Sequence, residues 1–429
     1  MRIYDIIEKK RLGLSLNKEE IDFFIKSVVK KTIPDYQISA LLMAICINGM
    51  SETETIDLTL SMANSGEIAD LSSIVGETCD KHSTGGVGDK TTFIVAPILA
   101  ANGIFTAKMS GRGLGYTGGT IDKLQSIPGF LTNLKHTEFI ESINKIGLAI
   151  TSSSGNLAPA DKTLYELRDA TATVDSIPLI ASSVMSKKIA AGSKNIVLDV
   201  KCGSGAFINN IEDAKKLALL MVKIGKAAGR KITALITNMN YPLGNNIGNS
   251  LEIEESLDVL SGKINGELLD LSLALAAEGI ALAKNISIEK ALQLASMSIS
   301  SKDALNLFLK MVENQKGDIK ALKKSKYYKE VIADSCGYVT NLDAKTVGIA
   351  SSILGAGRST YQDNIDYAAG IKINKHINNK VNKGDVLATL YSNDDSKFKD
   401  AEKLLLNAYN ITDTKIPKQP IILARIEDL

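Results

Sequence analysis

Two glycine-rich runs, each directly after a short β-type run and directly before a helical one, constrain this chain more than any other feature. The first is Asp80-Lys81-His82-Ser83-Thr84-Gly85-Gly86-Val87-Gly88-Asp89-Lys90-Thr91-Thr92. The second runs from Lys108 to Leu124 and holds Ser110, Gly111, Gly113, Gly115, Thr117, Gly118, Gly119 and Thr120. Strand, glycine loop and helix make the repeating unit of a parallel α/β sheet, whose ligands gather at the carboxyl ends of the strands. β-type runs at 77–80, 105–109, 148–151, 196–201 and 232–237 alternate with helical patterns such as 213–228, which predicts a large, mostly parallel α/β domain.

The flanks read differently. Asn17 with Glu20, and Ser51 with Glu54, have capping-box spacing ahead of apolar residues at helical period, so the first 65 residues are predicted to be helices. Residues 161–191 are helical again and are expected to rejoin them as one small all-α lobe. Stretches within 250–325 are helical, and the basic run 316–329 reads as a solvated helix end. The tail predicts strands at 331–339, 370–374 and 385–392, with helices near 344–354 and 396–409. The expected domains are 1–66 plus 161–191 (α lobe), 67–160 plus 192–334 (α/β) and 335–429 (α+β).

In the first run, glycines let the backbone approach a ligand and turn N–H groups towards it, and the following helix start adds positive potential. Lys81, Ser83 and Thr92 add an ammonium and hydroxyls, which suits an oxyanion such as phosphate. The spacing is neither GxxxxGK[ST] nor GxGxxG. An ordinary glycine turn is the plain alternative, but two such runs at neighbouring strand ends favour one shared anion. His82, inside the loop, is the one histidine placed to meet a substrate; His136 and His376 read as surface residues. A third cluster, 164–188, holds Arg168, Asp169, Ser183, Lys187 and Lys188. By spacing alone it passes for a helix surface, with Arg168 paired to Asp169 and the two lysines matching a helix dipole.

Composition excludes several classes. Fifty Lys and Arg against 48 Asp and Glu leave no broad basic surface for nucleic acid. The four cysteines form no CxxC pair, so reduced thiols are expected. The longest apolar stretch, 93–101, contains Pro97 and is too short to span a bilayer. The expectation is a soluble, cytoplasmic protein.

The stretches KHSTGGVGDK, SGRGLGYTGGTIDKL and LYELRDATATVDSIPLIASSVMSKK together resemble the thymidine and pyrimidine nucleoside phosphorylases in order and spacing, over about residues 1–420. The resemblance implies reversible phosphorolysis of uridine, thymidine and deoxyuridine with inversion at C1′, by a homodimer that takes inorganic phosphate as co-substrate and needs no organic cofactor. It places phosphate on Lys81, Ser83, Ser110, Thr120 and on Thr92, where many members have serine. It places the pyrimidine on Arg168, Ser183 and Lys187, with His82 reaching towards base and sugar; His82, Arg168 and Lys187 are the implied catalytic residues. Lys108 stands where narrow deoxy-specific members carry methionine, which implies broad sugar specificity. Tyr116 replaces a usual histidine and is expected to alter packing. The resemblance also implies a potassium site at Gly88, Leu243, residue 246 and Glu255, or, with Lys90 at a position often threonine, a lysine ammonium in the ion's place. The piece 370–392 is similar to a carrier-type β sandwich but lacks its Met-Lys-Met, so a structural role is expected. The nearest rival is an anthranilate-type phosphoribosyltransferase, and a further one is a non-catalytic nucleoside-binding protein.

Overall fold

The computed structural model describes residues 1–113, 115–116, 118–358 and 364–427, so Leu114 and Thr117 of the second glycine run lie outside the described residues. The chain folds into an N-terminal helical domain, a large α/β domain and a C-terminal α+β domain.

The helical domain opens with α1 (Ile3–Arg11), α2 (Lys18–Val29), α3 (Asp35–Asn48) and α4 (Glu52–Ala63). Both capping boxes form. Asn17 Oδ1 accepts from Glu20 N at 2.9 Å while Asn17 N donates to Glu20 Oε2 at 2.8 Å, and Ser51 and Glu54 exchange the same pair of bonds. Glu54 is also buried against Lys10 Nζ at 2.7 Å, so the cap of α4 fastens α1 as well. Ile21, Phe24, Ile25 and Val28 meet Leu41, Leu42 and Leu58 in the core.

The chain then builds β1 (Cys79–Ser83), α5 (Thr92–Ala101), β2 (Thr106–Ser110), α6 (Thr120–Gln125), α7 (His136–Ile146) and β3 (Leu148–Ser152). Next, α8 (Pro159–Ala170) and α9 (Ile177–Ala190) return to the helical domain, where Leu164 and Leu179 join its core. β4 (Asn195–Cys202), α10 (Ile211–Ala227) and β5 (Lys231–Asn238) complete the parallel strands. β1 pairs with β4 and β4 with β5; a bridge from Thr78 to Phe105 links β1 to β2, which pairs with β3. Every residue of β4 is buried, as the central strand of a sheet covered on both faces requires. The register sets Ser83 beside Asp199 and Ser110 beside Ser152, so the loops leaving β1 to β4 emerge at one edge.

β6 (Asn246–Gly248) leads into α11 (Asn249–Leu260), α12 (Glu267–Lys284), α13 (Ile288–Ser300) and α14 (Asp303–Asn314), which cover α5; Phe93 meets Phe308 edge-on at 6.4 Å. The C-terminal domain holds β7 (Tyr327–Ile332), β8 (Gly337–Leu342), α15 (Ala344–Leu354), β9 (Gly370–Ile373), β10 (Lys380–Val381), β11 (Val386–Ser392), α16 (Phe398–Ala408) and β12 (Tyr409–Thr412). Its sheets run β6-β9-β11-β7 and β10-β8-β12. The last strand, β13 (Ile422–Ile426), crosses back and pairs antiparallel with β5.

Two sequence expectations are corrected. The run 331–339 is two strands: β7 ends at Ile332, the chain bends at 334–335, and β8 starts at Gly337, where φ is +149° and a Cβ would lie 2.5 Å from Thr412 O. The basic run 316–329 is no helix end: α14 stops at Asn314, a short 3-10 turn follows at Ile319–Ala321, and β7 starts at Tyr327. Among the described residues no single helix is long and apolar enough to cross a membrane. The pair α12 and α13 passes together by length and composition but is bent by 118°.

Candidate active site

A cleft of about 790 Å³ opens where the strand ends of the α/β domain meet α8 and α9. Eight residues singled out from sequence line it: His82, Ser83, Thr92, Lys108, Ser110 and Thr120 from the α/β domain, and Ser183 and Lys187 from α9. β1 and β2 deliver the first group side by side. Between β1 and α5 the loop turns on Gly85 at φ +95° and Gly88 at φ +76°, and a Cβ on Gly88 would lie 2.5 Å from Leu243 O. The second loop folds back on itself at Gly119, where a Cβ would lie 2.0 Å from Gly113 N, and Asp122 holds Gly113 N at 2.7 Å. Glycine is therefore demanded at 88 and 119 by close approach, and the result is to set Thr92 and Thr120 at helix starts facing the cleft.

Behind the lining lies a layer of buried charge. Lys81 does not line the cleft. Its Nζ sits 3.0 Å from Asp199 and 3.7 Å from Asp89 and donates to Thr91 Oγ1 at 2.5 Å, while Lys201 meets Asp199 at 2.9 Å. Burial alone would depress the Lys81 ammonium, but Asp89 and Asp199 outweigh it and hold its pKa up. Beside it Asp80 serves two ammoniums, Lys108 at 3.0 Å and Lys188 at 2.8 Å. Burial would raise the Asp80 carboxyl, yet the two lysines keep it below the usual range. Lys108 is pulled down to about 7, chiefly by burial and further by Lys188, with Asp80 opposing. His82 is held well below its ordinary value by burial and by Lys188, Lys108, Lys81 and Lys187, so its ring is neutral near pH 7. Lys81, Lys108, Lys188 and Lys201 face Asp80, Asp89 and Asp199, so positive charge is in excess by at most one where four hydroxyls and two glycine loops converge. That arrangement suits an oxyanion.

The comparisons with known proteins agree with this geometry. Residues 4–66 match the "Glycosyl transferase family, helical bundle domain", 75–305 the "Glycosyl transferase family, a/b domain" and 338–412 the "Pyrimidine nucleoside phosphorylase C-terminal domain". The pyrimidine-nucleoside phosphorylase of Staphylococcus haemolyticus is 50% identical over 429 residues, covering 97% of this chain and 99% of that protein. The chain belongs to the pyrimidine-nucleoside phosphorylase family. The family's enzyme from Geobacillus stearothermophilus is 49% identical over 419 residues, covering 95% of this chain and 97% of that one. Anthranilate phosphoribosyltransferase from Thermus thermophilus shares the fold, with a TM-score of 0.58 at 17% identity, covering 72% of this chain and 98% of that structure.

Three placements depart from the sequence reading of this family member: Lys81, a phosphate contact in that reading but seated behind the lining, Arg168 and Lys188. Arg168 does not pair with Asp169 and does not line the cleft; it is 2% exposed, and its guanidinium donates to the carbonyls of Thr173, Val174 and Leu179 at 3.3, 2.7 and 3.1 Å. It thereby fixes the turn from α8 into α9, the helix that carries Ser183 and Lys187. Lys187 is held at 2.6 Å by Asp161, a buried cleft residue that the sequence reading missed. Lys188 is no helix-dipole match but the buried partner of Asp80. Asp80, Asp199 and Lys201 were likewise missed. Their one sequence signal is charge inside β-type runs, where burial makes a charge costly unless it is paired.

Of the four positions implied for potassium, Leu243, Asn246 and Glu255 turn oxygens to the Lys90 ammonium. Lys90 is fully buried, with Nζ at 2.5 Å from Glu255 Oε2, 3.0 Å from Leu243 O and 2.7 Å from Asn246 O. This donor set fits the tethered ammonium and leaves no room for a separate cation among the same oxygens. Tyr116 packs on α15, where a Cβ on Gly348 would lie 2.9 Å from its carbonyl oxygen. His376, expected at the surface, faces a second cleft of about 660 Å³ and bonds Asn245 Oδ1 through Nε2 at 2.7 Å.

Proposed function

We propose that this chain catalyses the reversible phosphorolysis of uridine, thymidine and deoxyuridine to free base and α-D-ribose 1-phosphate or its 2-deoxy form, with inversion at C1′, in cytoplasmic nucleoside salvage or catabolism. The observation that carries this reading is the convergence of Ser83, Thr92, Ser110 and Thr120 with Ser183 and Lys187 in one cleft. The names of the Staphylococcus haemolyticus and Geobacillus stearothermophilus relatives support it.

In this reading the four hydroxyls and the glycine-loop N–H groups hold the phosphate, with Lys81 supplying charge from behind. Ser183 and Lys187 hold the pyrimidine, and Arg168 sets the helix that presents them. A phosphate oxygen attacks C1′ on the face away from the base; the C1′–N1 bond breaks and its electron pair goes to N1. Positioning of this kind supplies about 7–11 kcal/mol in favourable cases. The sugar gains oxocarbenium character, which the phosphate dianion stabilises. The departing base gains negative charge on N1 and O2, to which the Lys187 ammonium and a neutral His82 N–H donate. Lys108 offers a donor to a 2′-hydroxyl, which supports broad sugar specificity. No step needs an organic cofactor, and Lys90 takes the place of the monovalent cation.

We place the homodimer contact on the helical domain. Tyr36, Met43 and Ile47, on one face of α3, are exposed together with Tyr4, Leu12 and Leu14 of α1 and its following loop.

The test is base release from uridine, thymidine and deoxyuridine, each with and without inorganic phosphate. Phosphate-dependent release from all three is expected. Release from the deoxy substrates alone discards the Lys108 argument. No release from any, with turnover of a 5-phosphoribosyl diphosphate and magnesium, moves the chain to the transferase class whose fold it shares.

A further inference from the structure

We infer that Asp80 is a positioning residue that sets the choice between ribo- and deoxyribonucleosides, by dividing one buried negative charge between Lys108 in the cleft and Lys188 on α9. The inference rests on the reading above, in which Lys108 meets the sugar.

Asp80 is 1% exposed and does not line the cleft, so its action must pass through its partners. Oδ1 lies 3.0 Å from Lys108 Nζ and Oδ2 lies 2.8 Å from Lys188 Nζ. Lys108 Nζ also donates to Lys81 O at 2.6 Å. An ammonium has three N–H donors, so two are committed and one remains for the cleft. Lys188 donates in addition to Met109 O at 3.3 Å, which ties α9 to the end of β2. The two lysines compete for one carboxylate: Lys188 lowers the tendency of Lys108 to carry charge, and Asp80 opposes that. The charged and titratable groups around Lys108 are Cys79, Asp80, Lys81 and His82 on β1 and Lys188 on α9. Because Lys188 follows Lys187 directly, the same carboxylate that aims the sugar-side ammonium also seats the helix that presents the base-side one.

Opposite signs follow for the two partners. Asp80→Asn keeps the shape but removes the charge, so Lys108 loses ammonium character and the 2′-hydroxyl loses a charge-assisted donor. Lys188→Gln leaves Asp80 to Lys108 alone and does the reverse. The experiment measures kcat/KM for uridine and for 2′-deoxyuridine, and separately the pH dependence of Lys108 labelling by a small amine reagent, read by mass spectrometry. For Asp80→Asn the uridine-to-deoxyuridine ratio is expected to fall about tenfold, and the labelling midpoint to drop by about 1–3 pH units. For Lys188→Gln both move the other way, while Lys188→Arg keeps the wild-type ratio. On a Lys108→Met background, Asp80→Asn is expected to leave the ratio unchanged, since the route through Lys108 is gone.

Equal losses on both substrates with an unchanged ratio, in Asp80→Asn or in Lys188→Gln, overturn the inference; Lys188→Gln decides if Asp80→Asn does not fold. An unchanged labelling midpoint overturns it as well. Absence of phosphorolysis in the wild-type protein is a different failure: it removes the proposed function, and the labelling midpoints still decide whether Asp80 controls Lys108.

Discussion

At the scale of the residue, the two cations chosen for the base behave differently. Lys187 is 43% exposed at its side chain and ends in the cleft, so Lys187→Ala removes a donor without opening the core. Turnover is expected to fall about 10²–10³-fold, with a lowered melting temperature only to the extent that the buried Asp161 carboxylate loses its ammonium partner. Arg168→Ala instead strands three carbonyl groups in a buried turn, and each unpaired buried group costs about 1–3 kcal/mol. It is expected to lower both turnover and thermal stability, measured by calorimetry alongside the assay; a silent melting curve rejects the structural part. His376 gives a pH prediction. Burial, with a smaller push from Lys90, lowers it from 6.5 to about 4, with Glu255 opposing. Its folded-state pKa lies below its unfolded one, so its neutral form stabilises the fold above pH 6.5 and that stability is lost as pH falls towards 4. A shift of this size is worth roughly 3 kcal/mol. Chemical denaturation at pH 7.5 and pH 4.5 is expected to show a smaller drop for His376→Gln than for wild type.

At the scale of the element, what the sequence made legible was local. The boxes at Asn17 and Ser51 formed as read, because the partners of a cap lie three residues away. The strand ends before both glycine runs fall within a few residues of the reading, because a glycine loop terminates a strand by its own conformational demands. Pairings between distant parts of the chain were not legible. β6 and β13 are short and find partners more than a hundred residues away, so no local pattern marks them. The buried lysines share this cause: Lys123 pairs with Glu252 and Lys188 with Asp80. The site was legible where the chemistry lies in loops, and illegible where a neutralising partner sits on another strand. The loop from β1 to α5 carries its own prediction. Lys90 ties it to Leu243, Asn246 and Glu255, and Lys90→Thr deletes that internal cation, leaving Glu255 buried and unneutralised. The wild-type rate is expected to be indifferent to potassium against a sodium or choline background. The variant is expected to lose most of its activity in choline and to recover it with potassium. A wild-type enzyme that itself requires potassium rejects the assignment.

At the scale of the molecule, the three domains are joined in two different ways. The α/β and C-terminal domains exchange strands: β6 enters the C-terminal sheet, β13 returns to β5, and Arg425 grips Glu278 through two nitrogens at 2.5 and 2.9 Å. The helical domain meets the α/β domain along an apolar seam, where Ala63, Ala181, Met185 and Ile189 pack with β4 and α10, and through Lys188, which reaches Asp80 and Met109 O. The cleft runs along this seam, lined from both sides, so a contact that fixes the helical domain in the proposed dimer also fixes one wall of the cleft. The proposed dimer contact is assigned to α3. Its sequence is apolar on nearly every side, and its buried residues Ile38, Leu41, Leu42 and Ile45 account for one side only. Tyr36, Met43 and Ile47, seven and four residues apart, stand exposed along another, with Ile47 at 73%. A charge there costs nothing in a monomer, where the position faces water, and is costly at a packed seam. Ile47→Asp is therefore expected to leave the melting temperature of dilute protein almost unchanged while shifting the mass in light scattering from two chains to one. A wild-type protein that runs as a single chain at assay concentration removes this face from the assembly and leaves the cleft chemistry to stand alone.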